Sequence, residues 1–251
     1  HLGASTAEAQ EQVAIDIANQ IADFLTTGKV VNAVNMPSID ESTYEKMKPY
    51  LILSEKLGSF TSQAVKGTIK SMDIYYSGTV NEFDVSSLTR GAIKGFLEPM
   101  LEGDVNYINA LVIAKERGIR INEIKTSDSE DFASLITIKA TTEESGIFSI
   151  SGSVFGKKME PRIVRINGYH VDANPFGCLL LITNKDTPGA IGKIGTTLGM
   201  RGINIADMTL GRKAQGEKAV IVLNIDGTIS DYVVEAVRNL EEVVEVTTIY
   251  L

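Results

Sequence analysis

The spacing of apolar residues changes several times along the chain, and each spacing predicts a different element. In the first stretch, apolar side chains recur four residues apart, as on one face of a helix: Val13, Ile17, Ile21 and Leu25. Gly28 is expected to end this helix. Residues 30–35 form a short apolar run that predicts a strand, and Pro37 is expected to end it.

The middle of the chain alternates between helical and extended patterns. Residues 42–65 have helical spacing, with Pro49 as the expected point of a break or restart. Two further helices are predicted over residues 87–101 and 106–117. Strands are predicted over residues 68–80, 119–124, 132–140, 146–155 and 162–171. Short polar turns join the last three strands, so we expect an α+β domain with a mainly antiparallel sheet.

The last stretch predicts the order βαββαβ, which is the order of the ferredoxin-like fold. Its elements are predicted over residues 179–184, 191–198, 203–212, 218–225, 233–240 and 243–251. The third strand is apolar on both faces, as expected of a central strand. Thr187 is expected to cap the first helix and Pro188 to occupy its first position, and Gly202 is expected to end it.

Composition and charge narrow the class of protein. The 251 residues are enough for two domains, and 43% hydrophobic and 22% charged residues are ordinary for a soluble globular protein. A net charge of −8 argues against a general binder of nucleic acids or anionic membranes. No apolar run approaches the roughly 18 residues of a membrane helix, and the start does not read as a signal peptide. We therefore expect a cytoplasmic protein with no nucleic-acid or membrane partner.

Cysteine and histidine are scarce. The single cysteine, Cys178, cannot form an intrachain disulfide, and it borders an apolar strand, so a buried position is expected. The two histidines, His1 and His170, lie far apart in the sequence. With so few nitrogen and sulfur ligands, a metal site is not expected.

The turn after the strand at 179–184 carries a pattern of polar and small residues. The sequence Asn184-x-Asp186-x-Pro188-Gly189 is followed by Ile191-Gly192-x-Ile194 and by Gly202-Ile203-Asn204-Ile205. This pattern resembles the ACT domain, a small regulatory module that binds amino acids. The resemblance covers the whole of the last stretch.

The residue types at this turn suit a zwitterionic amino acid. A helix N-terminus offers free N–H groups to a carboxylate, and Asp186 beside it could hold an ammonium group. Asn184 and Asn204 could supply neutral donors and acceptors. Alternatively, Asp186 only supports the turn and the asparagines cap strand ends. The resemblance implies an effector site of Asn184, Asp186, Pro188, Gly189 and Asn204, although the residue type at position 184 varies within the family.

The first residues carry a second pattern, in which His1 is followed by Leu2-Gly3-Ala4-Ser5-Thr6. This run resembles the end of the catalytic region of the D-3-phosphoglycerate dehydrogenase family, where the histidine is the catalytic acid and base. The resemblance covers roughly residues 1–37 and implies that role for His1 in an intact enzyme. The alternative for His1 is a tag remnant.

The chain lacks one hallmark of that family, because no Gly-x-Gly-x-x-Gly sequence follows a predicted strand. By the resemblance, the domain that binds NAD and the Arg and Glu that assist the histidine would precede residue 1. A lone histidine cannot hold NAD or fix a substrate carboxylate. We therefore expect no cofactor on this chain and no dehydrogenase activity of its own.

A third resemblance concerns residues 152–169, whose sequence is similar to the end of the intervening domain of the longer dehydrogenases, also called the allosteric substrate-binding domain. Four cations fall within nine residues there: Lys157, Lys158, Arg162 and Arg165. Such a cluster could bind a phosphorylated anion, or it could be a solvated hairpin with scattered ion pairs. On a straight strand Arg162 and Arg165 would face opposite sides, which weakens a single site.

Together, the patterns predict an α+β chain in three parts. Residues 1–37 are the tail of a catalytic region, residues 38–174 an intervening domain with a mainly antiparallel sheet, and residues 175–251 a ferredoxin-like ACT domain. The resemblance implies a parent that oxidises 3-phosphoglycerate to 3-phosphohydroxypyruvate with NAD and is slowed by L-serine or another small amino acid. ACT domains would pair into a dimer or tetramer, with Asp186 and Asn184 of one chain facing Asn204 of its partner.

Two other functions stay open. Iron–sulfur L-serine dehydratases also join an intervening domain of this kind to an ACT domain, but they need several cysteines for the cluster, and this chain has one. A stand-alone amino-acid sensor without catalysis is the other alternative, and it would leave the pattern at His1 unexplained.

Overall fold

The computed structural model describes residues 6–27, 41–101, 103–128, 131–144 and 146–251. The chain divides into two compact units, with the boundary between Lys46 and Met47. The first unit contains helix α1 (Ala7–Thr27), whose first turn is capped where Thr6 Oγ1 accepts a hydrogen bond from the Ala9 N–H at 3.2 Å. His1, the strand predicted over residues 30–35 and Pro37 lie outside the described residues.

The first half of the second unit is a sheet with helices on one face. In chain order its elements are α2 (Glu41–Ala64), whose first six residues belong to the first unit, β1 (Ile69–Gly78), α3 (Ser86–Leu97), α4 (Ala110–Glu116), β2 (Arg120–Thr126), β3 (Ser134–Thr142), β4 (Ile147–Phe155), β5 (Glu160–Ile166) and β6 (Tyr169–Ala173). The strands form one sheet in the order β2-β1-β3-β4-β5-β6. Strand β1 pairs with β2 in parallel, and the other pairs are antiparallel, as predicted.

Helix α2 runs through Pro49 without a break, so the predicted interruption is wrong. A proline inside a helix costs about 3 kcal/mol because it removes a hydrogen bond and crowds the preceding turn. The side chains of Met47, Tyr50 and Leu53 are all buried on either side of Pro49. Since each such side chain gains roughly 1.5–3 kcal/mol on burial, packing outweighs the local cost.

Helices α2 and α3 cross at very close range, and glycines make the crossing possible. A Cβ atom on Gly58 would lie 1.9 Å from the Ala92 carbonyl oxygen, and one on Gly95 would lie 2.0 Å from the Glu55 carbonyl oxygen. Beside the crossing, Lys94 Nζ pairs with the Glu55 carboxylate at 2.7 Å. The two helices therefore form one layer over the sheet.

Two local predictions in this half are wrong for reasons of turn chemistry. The strand predicted over 162–171 is two strands, because Asn167 and Gly168 form a tight hairpin turn with φ angles of 50° and 76°. The helix predicted from residue 106 begins only at Ala110, because Asn106 Oδ1 accepts hydrogen bonds from the N–H groups of Ile108 and Asn109 at 2.9 and 3.0 Å.

The second half of this unit has the predicted order βαββαβ. Its elements are β7 (Cys178–Lys185), α5 (Ala190–Gly199), β8 (Ile205–Arg212), β9 (Lys218–Ile225), α6 (Asp231–Arg238) and β10 (Val243–Tyr250). The sheet order is β10-β7-β9-β8, and every pair is antiparallel. The α+β fold class is thereby confirmed.

Both faces of the two central strands, β7 and β9, are largely buried. On one face a core cluster includes Leu180, Ile182, Ile194, Leu198 and Val237 and contains residues of α5 and α6. On the other face Leu179, Val222 and Ile249 are at most 1% exposed, and α2 lies beside this sheet, where Gln63 bonds to Tyr250. The apolar pattern on both faces of β9 reflects this double covering.

Candidate functional site

Asp186 lies at the carboxyl end of β7 and is held by the hairpin between β8 and β9. Its N–H donates to the Glu217 carbonyl oxygen at 2.9 Å. Its Oδ2 accepts from the Gly216 N–H at 3.3 Å and faces Arg212 Nη1 at 3.4 Å. The side chain is 20% exposed, so Asp186 supports the turn and still presents a carboxylate at the surface.

The helix after this turn does not begin where the sequence predicts. Gly189 precedes the helix with φ of 90°, in the left-handed region, so Pro188 is outside the helix and Thr187 is not its cap. No side chain caps α5, and Gly189 supplies the carbonyl oxygen that accepts from the Lys193 N–H at 2.9 Å. The first N–H groups of α5 are therefore left without a side-chain acceptor, as an anion site at a helix N-terminus requires.

Asn184 is part of the core rather than the surface of the turn. Its side chain is on the helix-covered face of β7, in line with Leu180 and Ile182, and the residue is 2% exposed. The Nδ2 group donates to the Lys185 carbonyl oxygen at 2.8 Å. Its Oδ1 is buried and has no hydrogen-bond partner among the described residues. A buried acceptor without a donor is costly, so this oxygen is the position at which a ligand donor would gain most.

Asn204 lies at the other end of the same sheet. The register pairs Lys185 with Lys218 and Ala219 with Arg212 at one end, and Ile225 with both Cys178 and Ile205 at the other. Asn204 precedes Ile205, and its Nδ2 donates to Asp226 Oδ2 at 2.6 Å. Since β8 has eight residues, about 25 Å separates the two ends. Within one chain the fold brings Asn184, Asp186, Pro188 and Gly189 together and leaves Asn204 apart.

The basic cluster is split between exposed and paired side chains. Lys157 and Lys158 are exposed in the turn between β4 and β5. The Arg162 guanidinium contacts Asp172 Oδ1 at 2.6 Å and Asp207 Oδ2 at 3.4 Å. The hydrogen bond to Asp172 raises the pKa of Arg162. The carboxylates of β6 and β8 therefore already neutralise the best-placed cation.

A β-bulge changes the predicted orientation of the two arginines. Arg165 pairs with Ser151 and Arg162 with Ser153, and the register shifts between them. Residues 151 and 153 share one face of β4, so both arginines lie on that face, contrary to the expectation from a straight strand. Arg165 stands over the Phe132 ring with 5.7 Å to its centroid. The anion site remains a prediction.

Two charged side chains near the turn were not predicted from the sequence to belong to the site. Lys193 of α5 forms an ion pair with Glu242, whose side chain is 12% exposed. This pair lowers the pKa of Glu242. Arg212, at the end of β8, faces Asp186 across 26 positions of sequence. Spacing rules for helices and strands act over a few residues, so neither contact could be found by them.

The described residues do not fit NAD. The only parallel strand pair among them is β1 with β2, and β1 ends at Gly78 in a short 3₁₀ turn rather than in a glycine-rich turn to a helix. Nor do they contain a group of three or more His, Cys, Asp or Glu side chains that could hold a metal ion. Over the same residues, no helix combines the length and the apolar character needed to cross a membrane.

Comparison with known proteins finds two matching families. Residues 46–167 match the D-3-phosphoglycerate dehydrogenase intervening domain, and residues 179–242 match the ACT domain. Along its whole length the chain is 37% identical to the D-3-phosphoglycerate dehydrogenase of Bacillus subtilis, and it covers 47% of that protein. The corresponding enzyme of Methanocaldococcus jannaschii is 38% identical, again with 47% covered. The chain thus spans about half the length of the curated relatives it matches.

Proposed function

Since this chain carries the intervening domain of the D-3-phosphoglycerate dehydrogenase family followed by an ACT domain, we propose that it is the regulatory C-terminal part of such an enzyme. Its ACT domain binds L-serine, or another small amino acid, and the bound effector slows the parent enzyme. The effector acts by favouring one arrangement of paired ACT domains, which is a coupling between distinct sites.

The observation that carries this proposal is the separation of Asp186 from Asn204. The two residues lie at opposite ends of one sheet, so they cannot hold the same small molecule within one chain. Strand β8 is at the edge of the sheet. If β8 pairs antiparallel with β8 of a second copy about a two-fold axis, the partner's Asn204 comes to the end that carries Asp186.

The surface beside β8 supports pairing at this edge. Met208 and Leu210 point to the helix side of the sheet and are 46% and 38% exposed. Ile191, on the first turn of α5, is 40% exposed. An edge strand with adjacent apolar side chains is a surface that a second copy can cover. Each two-fold pair would then contain two effector sites.

The site would recognise the effector through its two charged groups. Its carboxylate would meet the N–H groups at the start of α5, and its ammonium group would displace Arg212 from Asp186. The buried Oδ1 of Asn184 is an acceptor for a further donor, such as the hydroxyl group of serine. The partner's Asn204 would close the site from the second chain.

In the longer protein, NAD and 3-phosphoglycerate would be bound by segments other than this chain, with His1 as acid and base in their oxidation. By itself the chain would then produce no NADH from 3-phosphoglycerate. A spectrophotometric assay of NADH formation tests this point, and activity of the isolated chain would contradict it.

The sharpest test of the effector site is complementation between two variants that do not bind L-serine by themselves. Asp186→Ala and Asn204→Ala should each abolish L-serine binding in isothermal titration calorimetry, because every site in a homodimer then lacks one contributor. An equimolar mixture, refolded together, forms mixed dimers in which one of the two sites is intact. We expect binding to return in the mixture with a stoichiometry well below one serine per chain.

Asn239→Ala serves as the control, because Asn239 is exposed at the end of α6 and takes no part in the proposed site. It should bind serine as the unchanged chain does. Binding by either single variant at unchanged affinity would refute the site. If the mixture still does not bind L-serine, the site is not shared between two chains. A strictly monomeric chain in analytical ultracentrifugation would also refute the shared site.

A further inference from the structure

The C-terminal end of α2 is joined to β10 by an unusual set of contacts. Gln63 Nε2 donates to the Tyr250 carbonyl oxygen at 2.8 Å, and Gln63 Oε1 accepts from the Tyr250 N–H at 2.9 Å. A side-chain amide here makes the two bonds that a neighbouring strand would make. Three residues later, Lys66 forms an ion pair with Glu245 of β10. The intervening domain and the ACT domain therefore meet at this seam.

A cavity of about 230 Å³ opens at the same seam. Its walls come from the end of α2, the β3–β4 hairpin, the β5–β6 turn and β10, including Val65, Lys66, Ile147, Phe148, Asn167 and Glu245. Phe148 is fixed by stacking on Phe60, with ring centroids 6.4 Å apart. Asn167 Oδ1 accepts from the Ser149 N–H at 2.9 Å, which leaves the amide NH₂ as its donor. Ligand sites are common in such clefts between domains.

The charges at the cavity suit a ligand that carries both signs. Lys66 supplies a cation and Glu245 an anion, and the last carbonyl groups of α2 add negative character. Both side chains of the pair are substantially exposed, at 74% and 47%. An exposed ion pair contributes little to stability, so a ligand can exchange it for its own two contacts at little cost. The pair between Lys94 and Glu55 is more buried, at 16% and 27% exposure, so a ligand has less access to replace it.

The volume limits the ligand to a small molecule. At about 30 Å³ per water molecule, 230 Å³ corresponds to roughly eight waters. The apolar part of the wall, Val65, Ile147 and Phe148, can accept a short aliphatic group. We propose that this cavity is a second binding site, for a small zwitterionic α-amino acid whose carboxylate meets Lys66 and Asn167 and whose ammonium group meets Glu245. The site is independent of the proposed effector site at the ACT turn.

The experiment is a calorimetric titration of the full chain in which the ACT turn has been silenced by Asp186→Asn and Asn204→Ala. L-Valine is the probe, with 3-methylbutanoate and isobutylamine as analogues that lack its ammonium or its carboxylate group. L-Valine should bind saturably, and each analogue should bind about tenfold more weakly or not at all, because one of the two charge contacts is lost.

In the same background, Lys66→Met and Glu245→Gln should each weaken L-valine binding about tenfold. Lys70→Met is the matched control, because Lys70 forms another exposed ion pair, with Glu143, outside the cavity wall. Urea unfolding of each variant verifies that it is folded. The proposal is overturned if neither L-valine, L-alanine nor L-serine gives saturable heat in this background, or if binding is indifferent to both Lys66 and Glu245.

Discussion

The two sheets of the second unit differ in what covers their second face. The sheet of the ACT half is apolar on both faces, and Leu179 and Ile249 are fully buried on the face away from α5 and α6. The corresponding face of the six-stranded sheet carries hydroxyl and charged side chains, such as Thr137, Ser149 and Lys139, which are only partly buried. The same architecture, helices on one face of an antiparallel sheet, thus gives a core on two sides in one case and on one side in the other.

The largest effect should come from truncating a side chain on the doubly buried sheet. Ile249→Ala removes buried methyl groups from a face that is sealed by the intervening domain, so we expect a loss of about 2–5 kcal/mol in the free energy of unfolding. Ser149→Ala, on the open face of the other sheet, should change it by about 0.5 kcal/mol or less. Urea unfolding measures both, and equal effects would show that the second face of the ACT sheet is not a core.

A methyl group added to a helix should lower the free energy of unfolding in the first half of the unit and raise it in the second half. Gly58→Ala places a Cβ 1.9 Å from the Ala92 carbonyl oxygen, so α2 and α3 must move apart. We expect a loss of about 1–3 kcal/mol. Gly192→Ala in α5 meets nothing within 4 Å and should stabilise the chain by about 0.5–1 kcal/mol through its better helix propensity. Thermal unfolding of the two variants tests this, and a stabilising Gly58→Ala would contradict the close crossing.

The hairpin turns of the two halves should be about equally sensitive. Gly168 and Gly216 have φ angles of 76° and 81°, so alanine at either position should cost about 1–2 kcal/mol through backbone strain. A Cβ on Gly168 would also lie 3.3 Å from Lys213 Nζ, a flexible group, whereas one on Gly216 has open space. If urea unfolding shows a much larger cost at Gly168, the contact with Lys213 rather than strain dominates there.

The smallest effect concerns pH and the ion pair beside the ACT turn. The hydrogen bond from Lys193 lowers the pKa of Glu242 from its usual value of 4.5. Glu242 therefore contributes stability above about pH 4.5, and this contribution is lost as the pH falls through its lower folded-state pKa. Glu242→Gln should unfold with a slightly weaker pH dependence in this acid range, as measured by urea unfolding at a series of acid pH values.

Much of this fold could be predicted because its apolar spacing is regular. The central strand over 218–225 was predicted at the bounds that β9 has, since double-sided apolar character is unmistakable. The prediction failed where one residue outweighs the spacing. Asn167 and Gly168 divide the strand predicted over 162–171, and Pro49 is tolerated only because the residues around it are buried. The first case was readable from the Asn-Gly pair, whereas the second depends on tertiary packing.

The residues of the candidate site could be predicted from the sequence, but their arrangement in space could be predicted only in part. The motif identifies Asp186 and Gly189 at the turn, but the helix start depends on the left-handed backbone of Gly189, which the sequence only permits. The burial of Asn184 follows from its place in the alternation of β7. The partners Arg212 and Asp226 lie 26 and 22 positions from the residues they contact, so only the folded chain reveals them.

The side chain of Gln63 has a consequence for how this protein stays separate from other chains. An uncovered edge strand is a template on which a foreign strand can grow into an aggregate. By occupying the N–H and the carbonyl oxygen of Tyr250, the amide of Gln63 removes one complete pairing position from β10. A chain that tried to extend the sheet there would have to expel a helix-borne group first. One glutamine thus blocks the pairing of a foreign strand at this edge of the sheet.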